Sequence, residues 1–399
     1  MLRRSALFLS LALAITLATQ PSASASDFTS AASAFSQLSK SSTLANPAVM
    51  VVDKVTGEVV YQSNAGSARK PASLLKIVTA AAAYTYLSPS DSYTTSLWQG
   101  MDSKTVVIQG SLDPWISYDH KVATKMKRTS LSAIQWSAIN YLQANNPETL
   151  KGTRILYSNL FPQDVAVIEK YLKFRKLDIG LMKSSPSNTA NQSTALITES
   201  QSPRLGRIVD WALTWSDNLL SDRIARAAAG GAGFSRDYAG VELAFKKLLT
   251  DLNINANALV VKDGSGLSKA NRVTALQISQ LLQVIAKDPK YAQLIKGLPV
   301  GGLTGTLADR FVETAPTAIG LVRAKTGTLN GTTNLAGFIE SGDHEYNFVI
   351  ISDQHSKSYT VTKRVRATVD RILGKIANPL LPEIPLLPPI EESSTVTSP

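Results

Sequence analysis

The 399-residue chain contains no cysteine. That absence excludes a disulfide framework, a thiol nucleophile, a Cys-ligated zinc or iron–sulfur site, and a lipid anchor on cysteine. Histidine is nearly absent too. His120, His344 and His355 are the only three, too little material for a metal site built on imidazoles. Acidic residues are outnumbered, 30 against 41 basic ones, which leaves a formal charge of +11. Such a charge admits nucleic acid, an anionic membrane or an acidic polymer as partner. With 44% hydrophobic residues the chain is too apolar to be mostly disordered and is long enough for one large or two ordinary domains.

The first residues narrow these options. Arg3 and Arg4, an apolar run over 6–19 and the small-residue string Ala23-Ser24-Ala25 read as a secretory signal over residues 1–25. The run of 14 residues is too short to span a bilayer comfortably. Cleavage leaves 39 basic and 30 acidic residues, a charge of +9. Export to the cell envelope, periplasmic or extracytoplasmic, argues against nucleic acid as a partner, and no membrane span remains after cleavage. The residual charge suits an anionic envelope and equally a plain solvated surface.

A Ser/Ala-rich stretch over 26–42 follows, with Phe28 and Phe35 as packing residues. Apolar runs at 48–52 and 58–62 flank a Gly-bearing turn and read as a hairpin. The Ala-rich segment 74–87 reads as a buried helix, 94–109 as strand pieces, and 131–145 as a helix. Residues 186–202, rich in Ser, Thr, Asn and Gln, read as a loop or linker. Helical segments follow at 205–229, 241–252 and 274–287. Three strands at 321–324, 334–340 and 346–352 precede a helix at 360–376. Strands at both ends with helices between them imply one α+β domain whose sheet joins distant parts of the chain around an insertion. Six prolines among the last 21 residues mark a tail.

Three short motifs carry chemistry. In Pro71-Ala72-Ser73-Leu74-Leu75-Lys76, proline pre-sets a helix start and puts Ser73 and Lys76 on one face. A serine is activated by a neighbouring base, and a lysine serves as that base when burial lowers its pKa. The bland alternative is a capping serine beside a snorkelling lysine. Ser67-Ala68-Arg69-Lys70 repeats the spacing, but Lys70 precedes a proline and loses helical geometry. Ser216-Asp217-Asn218 supplies a hydroxyl and an amide, or a helix cap. Lys325-Thr326-Gly327-Thr328 follows a strand and suits an edge that binds a peptide by strand addition, with the glycine permitting close approach.

In this order the trio is the motif set of penicillin-binding proteins and class A β-lactamases. The flanks resemble one family among them, the D-alanyl-D-alanine carboxypeptidases of the class C low-molecular-mass penicillin-binding proteins. The resemblance rests on residues 69–80, 216–226, 298–310 and 323–337, and on Lys262-Asp263-Gly264-Ser265-Gly266-Leu267-Ser268. Gly110-Ser111-Leu112-Asp113-Pro114 resembles a turn in the family's inserted domain. The resemblance implies a β-lactamase-like, penicillin-binding domain over 26–92 and 201–376, with an antiparallel sheet flanked by helices. An inserted domain over 93–200 interrupts it, and a Pro-rich tail over 377–399 ends the chain. Ser73 would be acylated and Lys76 would be its base. Ser216, Asn218 and Lys325 would complete the proton network, and Thr326, Gly327 and Thr328 would hold the substrate. Backbone N–H groups of Ser73 and Thr328 would form the oxyanion hole.

The implied substrates are peptidoglycan stem peptides ending in D-Ala-D-Ala, with β-lactams as covalent inhibitors and no metal or cofactor. Cleavage of D-alanyl cross-links is a further implied activity. The insert is shorter than the family's usual one. Leu156-Tyr157-Ser158-Asn159-Leu160-Phe161 also lacks the acidic pair usual before Ser and Phe. One alternative is a catalytically silent scaffold of the same fold that binds peptidoglycan. A serine β-lactamase is another, although no Glu-x-x-Leu-Asn segment lies between Ser216 and Lys325.

Overall fold

The computed structural model describes residues 25–380. The secretory signal read at 1–25 lies outside them except for Ala25, and the tail lies outside them beyond Leu380. The Ser/Ala-rich stretch is a helix, α1 (Ala25–Lys40). Its Ala31, Ala34, Phe35 and Leu38 recur at helical spacing and are all buried. Next come β1 (Ala48–Asp53) and β2 (Val59–Ser63). The Asp53 carboxylate accepts from the N–H groups of Val55 and Thr56 and so closes the turn between them. The Ala-rich α2 (Leu75–Tyr86) follows.

The next segment builds a sheet of its own. It comprises β3 (Thr94–Gln99), β4 (Thr105–Gln109), α3 (His120–Met126), α4 (Leu131–Asn145), β5 (Thr153–Ser158) and α5 (Pro162–Phe174). It continues with β6 (Ile179–Lys183), α6 (Pro186–Gln192) and β7 (Leu196–Gln201). Strand order is β6-β5-β4-β3-β7, parallel between β4, β5 and β6 and antiparallel elsewhere. Leu97, Val106, Ile108, Leu131, Ile155 and Ile168 belong to a separate apolar cluster beside it. Residues 186–202 are therefore not a loop. Ser185 caps α6 by accepting from Asn188 N–H, and β7 pairs along β3. Polar side chains that suggest a loop here serve as caps and edge-strand faces.

The chain then forms α7 (Leu205–Trp215), α8 (Asn218–Gly231), α9 (Tyr238–Asp251), α10 (Ala275–Lys287) and α11 (Ala292–Gly297). It ends with β8 (Val322–Leu329), β9 (Thr332–Ser341), β10 (His344–Ser352) and α12 (Tyr359–Ile376). Strands from both ends of the chain join in one antiparallel sheet, ordered β2-β1-β10-β9-β8. Side chains alternate across it. Met50, Val52, Phe338 and Val349 face a cluster that includes α2 and α7–α10. Val49, Val51, Ile339 and Phe348 face a cluster with α1 and α12. The result is a three-layer α+β fold with β8 at an open edge.

One cation ties α8 to the segment that carries the second sheet. Arg223 of α8 is fully buried, pairs with the buried Asp164 of α5, and donates to the Ile116 carbonyl (2.9 Å) and the Tyr118 hydroxyl (2.8 Å). No helix among the described residues is long and apolar enough to cross a membrane.

Candidate active site

The chain turns sharply just before α2. Ala72 takes a left-handed conformation (φ 46°), and Ala72–Leu74 form a single tight 3₁₀ turn that presents Ser73. Such a φ is uncommon for a residue with a Cβ and persists only where neighbours hold it. They do so from three sides. The Asn334 amide of β9 donates to the carbonyls of Lys70 (3.0 Å) and Pro71 (2.9 Å). The Asp353 carboxylate accepts from Lys70 N–H (3.0 Å) and pairs with the buried Arg69 (3.2 Å). Gly266 lies so close behind the turn that a Cβ there would sit 1.8 Å from the Ala72 carbonyl oxygen, and its own φ is +85°.

Around the buried Lys76 the contacts are specific. Its ammonium donates to Ser73 Oγ (2.9 Å), Asn218 Oδ1 (2.8 Å) and the Ser265 carbonyl (2.7 Å). That carbonyl is fixed by a loop folded around the Asp263 carboxylate. Asp263 accepts from the N–H groups of Ser265 (2.8 Å), Gly266 (2.6 Å) and Ser268 (2.6 Å), and from the Asn271 amide (3.1 Å). Burial alone would raise the Asp263 carboxyl. The N–H of Ser268 and the hydroxyl and N–H of Ser265 hold it below its ordinary value. It therefore stays an anion. Burial pushes Lys76 down from 10.5 to about 7, against the opposing pull of Asp263 and Asp217. A lysine so placed is substantially neutral near neutral pH and can take a proton from the hydroxyl beside it.

Ser216 stands where α7 stops. Its φ of 59° breaks the helical run, and Asp217 then caps α8 by accepting from Leu220 N–H. One continuous helix would have turned Asn218 onto another face. Instead Asn218 meets Lys76, and Ser216 Oγ accepts from Lys325 Nζ (2.9 Å). Lys325 is fully buried on β8, and burial, followed by the charge of Lys76, pushes its ammonium well below the ordinary lysine range. Along the same edge strand, Thr326 and Thr328 project to the face opposite Lys325. Gly327 lets the strand approach the turn, since a Cβ there would meet the Pro71 carbonyl at 2.9 Å.

A cleft of about 910 Å³ runs past these groups, lined by Ser73, Ser216, Asn218, Thr326 and Thr328 among others. All three motifs expected from the sequence thus border one cavity, Lys76 and Lys325 from beneath. The sequence reading missed Asn334, Thr306 (2.9 Å from the Thr326 hydroxyl) and Arg366, whose guanidinium donates to Thr328 Oγ1 (3.2 Å). Thr306 and Asn334 fall within the stretches 298–310 and 323–337 that carry the family resemblance, whereas Arg366 lies outside them. His344 and His355 bond Asp53 (2.8 Å) and Thr333 (2.9 Å).

Comparisons with known proteins bear on the family and the fold. A model of the D-Ala-D-Ala carboxypeptidase 3 (S13) family matches residues 32–138 and 172–376. Carboxypeptidase DacB of Mycolicibacterium smegmatis is 25% identical over 358 residues, covering 78% of each chain. The D-alanyl-D-alanine carboxypeptidase of Actinomadura sp. strain R39 is 33% identical over 174 residues, 41% of this chain and 31% of that one. The crystal structure of penicillin binding protein 4 from Haemophilus influenzae superposes with a TM-score of 0.64 at 17% identity. That superposition covers 85% of this chain and 98% of the other.

Proposed function

The chain belongs to the D-Ala-D-Ala carboxypeptidase 3 (S13) family of serine peptidases, and from that premise we propose that it trims peptidoglycan stem peptides through an acyl-enzyme on Ser73. The observation that carries the reading is the 2.9 Å contact between Ser73 Oγ and a lysine whose pKa burial brings to about 7. Neutral Lys76 takes the Ser73 proton as Oγ attacks the carbonyl carbon of the penultimate D-alanine. The oxyanion receives hydrogen bonds from the backbone N–H groups of Ser73 and Thr328. The peptide C–N bond then breaks. The proton returns from Lys76 to the departing amine by way of Ser216, whose hydroxyl Lys325 holds, and D-alanine leaves. Water, deprotonated by Lys76, attacks the ester, releases the shortened stem peptide and regenerates Ser73. Asn218 orients the stem-peptide amide, and the hydroxyls of Thr326 and Thr328 face the terminal carboxylate. Penicillin acylates the same oxygen.

We take the protein to act outside the cytoplasm, on the strength of the secretory signal at 1–25, and residues 93–200 to be an inserted domain. A second activity, endopeptidase cleavage of D-alanyl cross-links, is favoured by one feature. The cleft continues beyond Thr328 to residues 309–314 and α12, leaving room for a leaving group larger than alanine.

Incubation with purified muropeptides tests both. Released D-alanine establishes the carboxypeptidase, and split dimers establish the endopeptidase. Ser73→Ala loses both products. Wild-type protein that yields neither product overturns the reading.

A further inference from the structure

The hydroxyls of Thr326 and Thr328 are neutral, and one of them is already engaged by Thr306. A carboxylate held by hydroxyls alone would lack a charged partner in the cleft, and a hydrogen bond from a cation is roughly twice as strong as one from a neutral donor. Of the cations that line the cleft, Arg310 is paired with Asp370 and Lys363 sits over the Tyr359 ring (4.9 Å), which leaves Arg366 of α12 to fill that gap. It lines the same cleft as Ser73, and its guanidinium meets Thr328 Oγ1 at 3.2 Å.

Arg366 is available because its natural partner is taken. Asp370 lies four residues further along α12, the spacing at which an arginine and an aspartate pair on a helix. Arg310 has captured it instead. The Arg310 Nε donates to both Asp370 oxygens (3.1 Å each), its second nitrogen donates to Oδ1, and the Thr314 hydroxyl adds a contact at 3.3 Å. Asp309 and Glu313 also border the cleft, but no ion pair joins Arg366 to a carboxylate among the described residues. A guanidinium stays protonated across the working pH range, and its planar fork matches the two oxygens of a carboxylate.

We propose that Arg366 is the charged half of the carboxylate subsite. It sets the requirement for a free carboxylate on the leaving residue, whether that residue is a terminal D-alanine or the D-centre of a cross-link. The Arg310–Asp370 pair is the device that keeps Arg366 free. This inference rests on the reading of Ser73 as the acylated serine.

Acylation of Ser73 by a penicillin and by its methyl ester, followed by intact mass, isolates the charge. Wild-type protein reacts faster with the free acid. Arg366→Gln slows reaction with the acid by about 10- to 100-fold, the range for losing one hydrogen bond to a charged group. The rate with the ester stays unchanged, which also reports an intact fold. Arg366→Lys recovers part of the lost rate. Acid and ester rates that fall together, or an acid rate that does not fall, overturn the proposal. D-alanine release reports separately on the substrate. Acylation at the expected rates without D-alanine release would sink the carboxypeptidase reading and leave the role of Arg366 supported. A Ser73 that neither ligand acylates overturns both.

Discussion

Replacing Lys76 with methionine should change how stability depends on pH, and the size of the change follows from the burial of one ammonium. In the unfolded chain the group titrates near 10.5, and in the folded protein burial brings it to about 7. Between those values the unfolded state holds one proton more than the folded state, so stability rises with pH. Below the folded value both states are protonated and the penalty is constant. Integrated from pH 7 to pH 9, the single group contributes about 2 kcal/mol of added stability. Lys76→Met removes that contribution. The partners left by the substitution, Asn218 Oδ1 and the Ser265 carbonyl, do not titrate and shift the variant by a pH-independent amount. The charge of Lys76 is the lesser cause of the Lys325 shift and fades above pH 7 as Lys76 loses its proton, so from there Lys325 titrates similarly in both proteins. Urea unfolding of both proteins at pH 7, 8 and 9 provides the comparison. The wild type should gain about 2 kcal/mol more than the variant across that interval. Parallel pH dependences would mean that Lys76 keeps an ordinary pKa in the folded protein, and the base assignment would fall with it. The same titration has a kinetic counterpart. The acylation rate should climb about tenfold per pH unit below 7 and level off above it, because the neutral amine is the active form.

Three further outcomes follow from named contacts. Gly266→Ala places a Cβ 1.8 Å from the Ala72 carbonyl and should cost roughly 3 kcal/mol or more, with loss of penicillin labelling. Unchanged urea midpoint and labelling would show that the loop stands away from the Ser73 turn. Arg223→Ala strands the buried Asp164 and should cost about 3–5 kcal/mol, whereas Arg223→Met combined with Asp164→Leu should cost far less. Equal losses in urea unfolding would remove the ion pair from the account. Ser216→Ala should slow acylation by about 10²- to 10⁴-fold, as expected for loss of a proton-transfer partner, with stability changed by less than about 1 kcal/mol. An unaltered acylation rate would take Ser216 out of the proton path.

The chemistry of the cleft was legible where it is local. Pro71 marks the start of a helix, Lys76 follows Ser73 by three positions, and a hydroxyl–acid–amide string at 216–218 is compact enough to recognise. Short β-rich apolar runs likewise disclosed the strands at both ends of the chain. What escaped depends on distant contacts. Arg366 looks like any surface cation of an amphipathic helix until Arg310, 56 residues upstream, is seen to hold Asp370. Asn334 reads as an ordinary strand residue, and only the sheet brings its amide to the carbonyls of Lys70 and Pro71. The break between α7 and α8 carries no glycine or proline. Ser216 enters the left-handed region because Asp217 caps the next helix and Lys325 engages the Ser216 hydroxyl. The polar run at 186–202 read as a loop because its serines and threonines are common in loops. In the folded chain they follow the cap Ser185 into a short helix and then line an edge strand.

The central claim is that Ser73 Oγ forms the acyl bond. The most direct measurement is to incubate the protein with penicillin, digest it and locate the adduct by peptide mass spectrometry. A single adduct on Ser73, absent from Ser73→Ala, is the expected result. An adduct on another residue, or one that persists in Ser73→Ala, would contradict the claim.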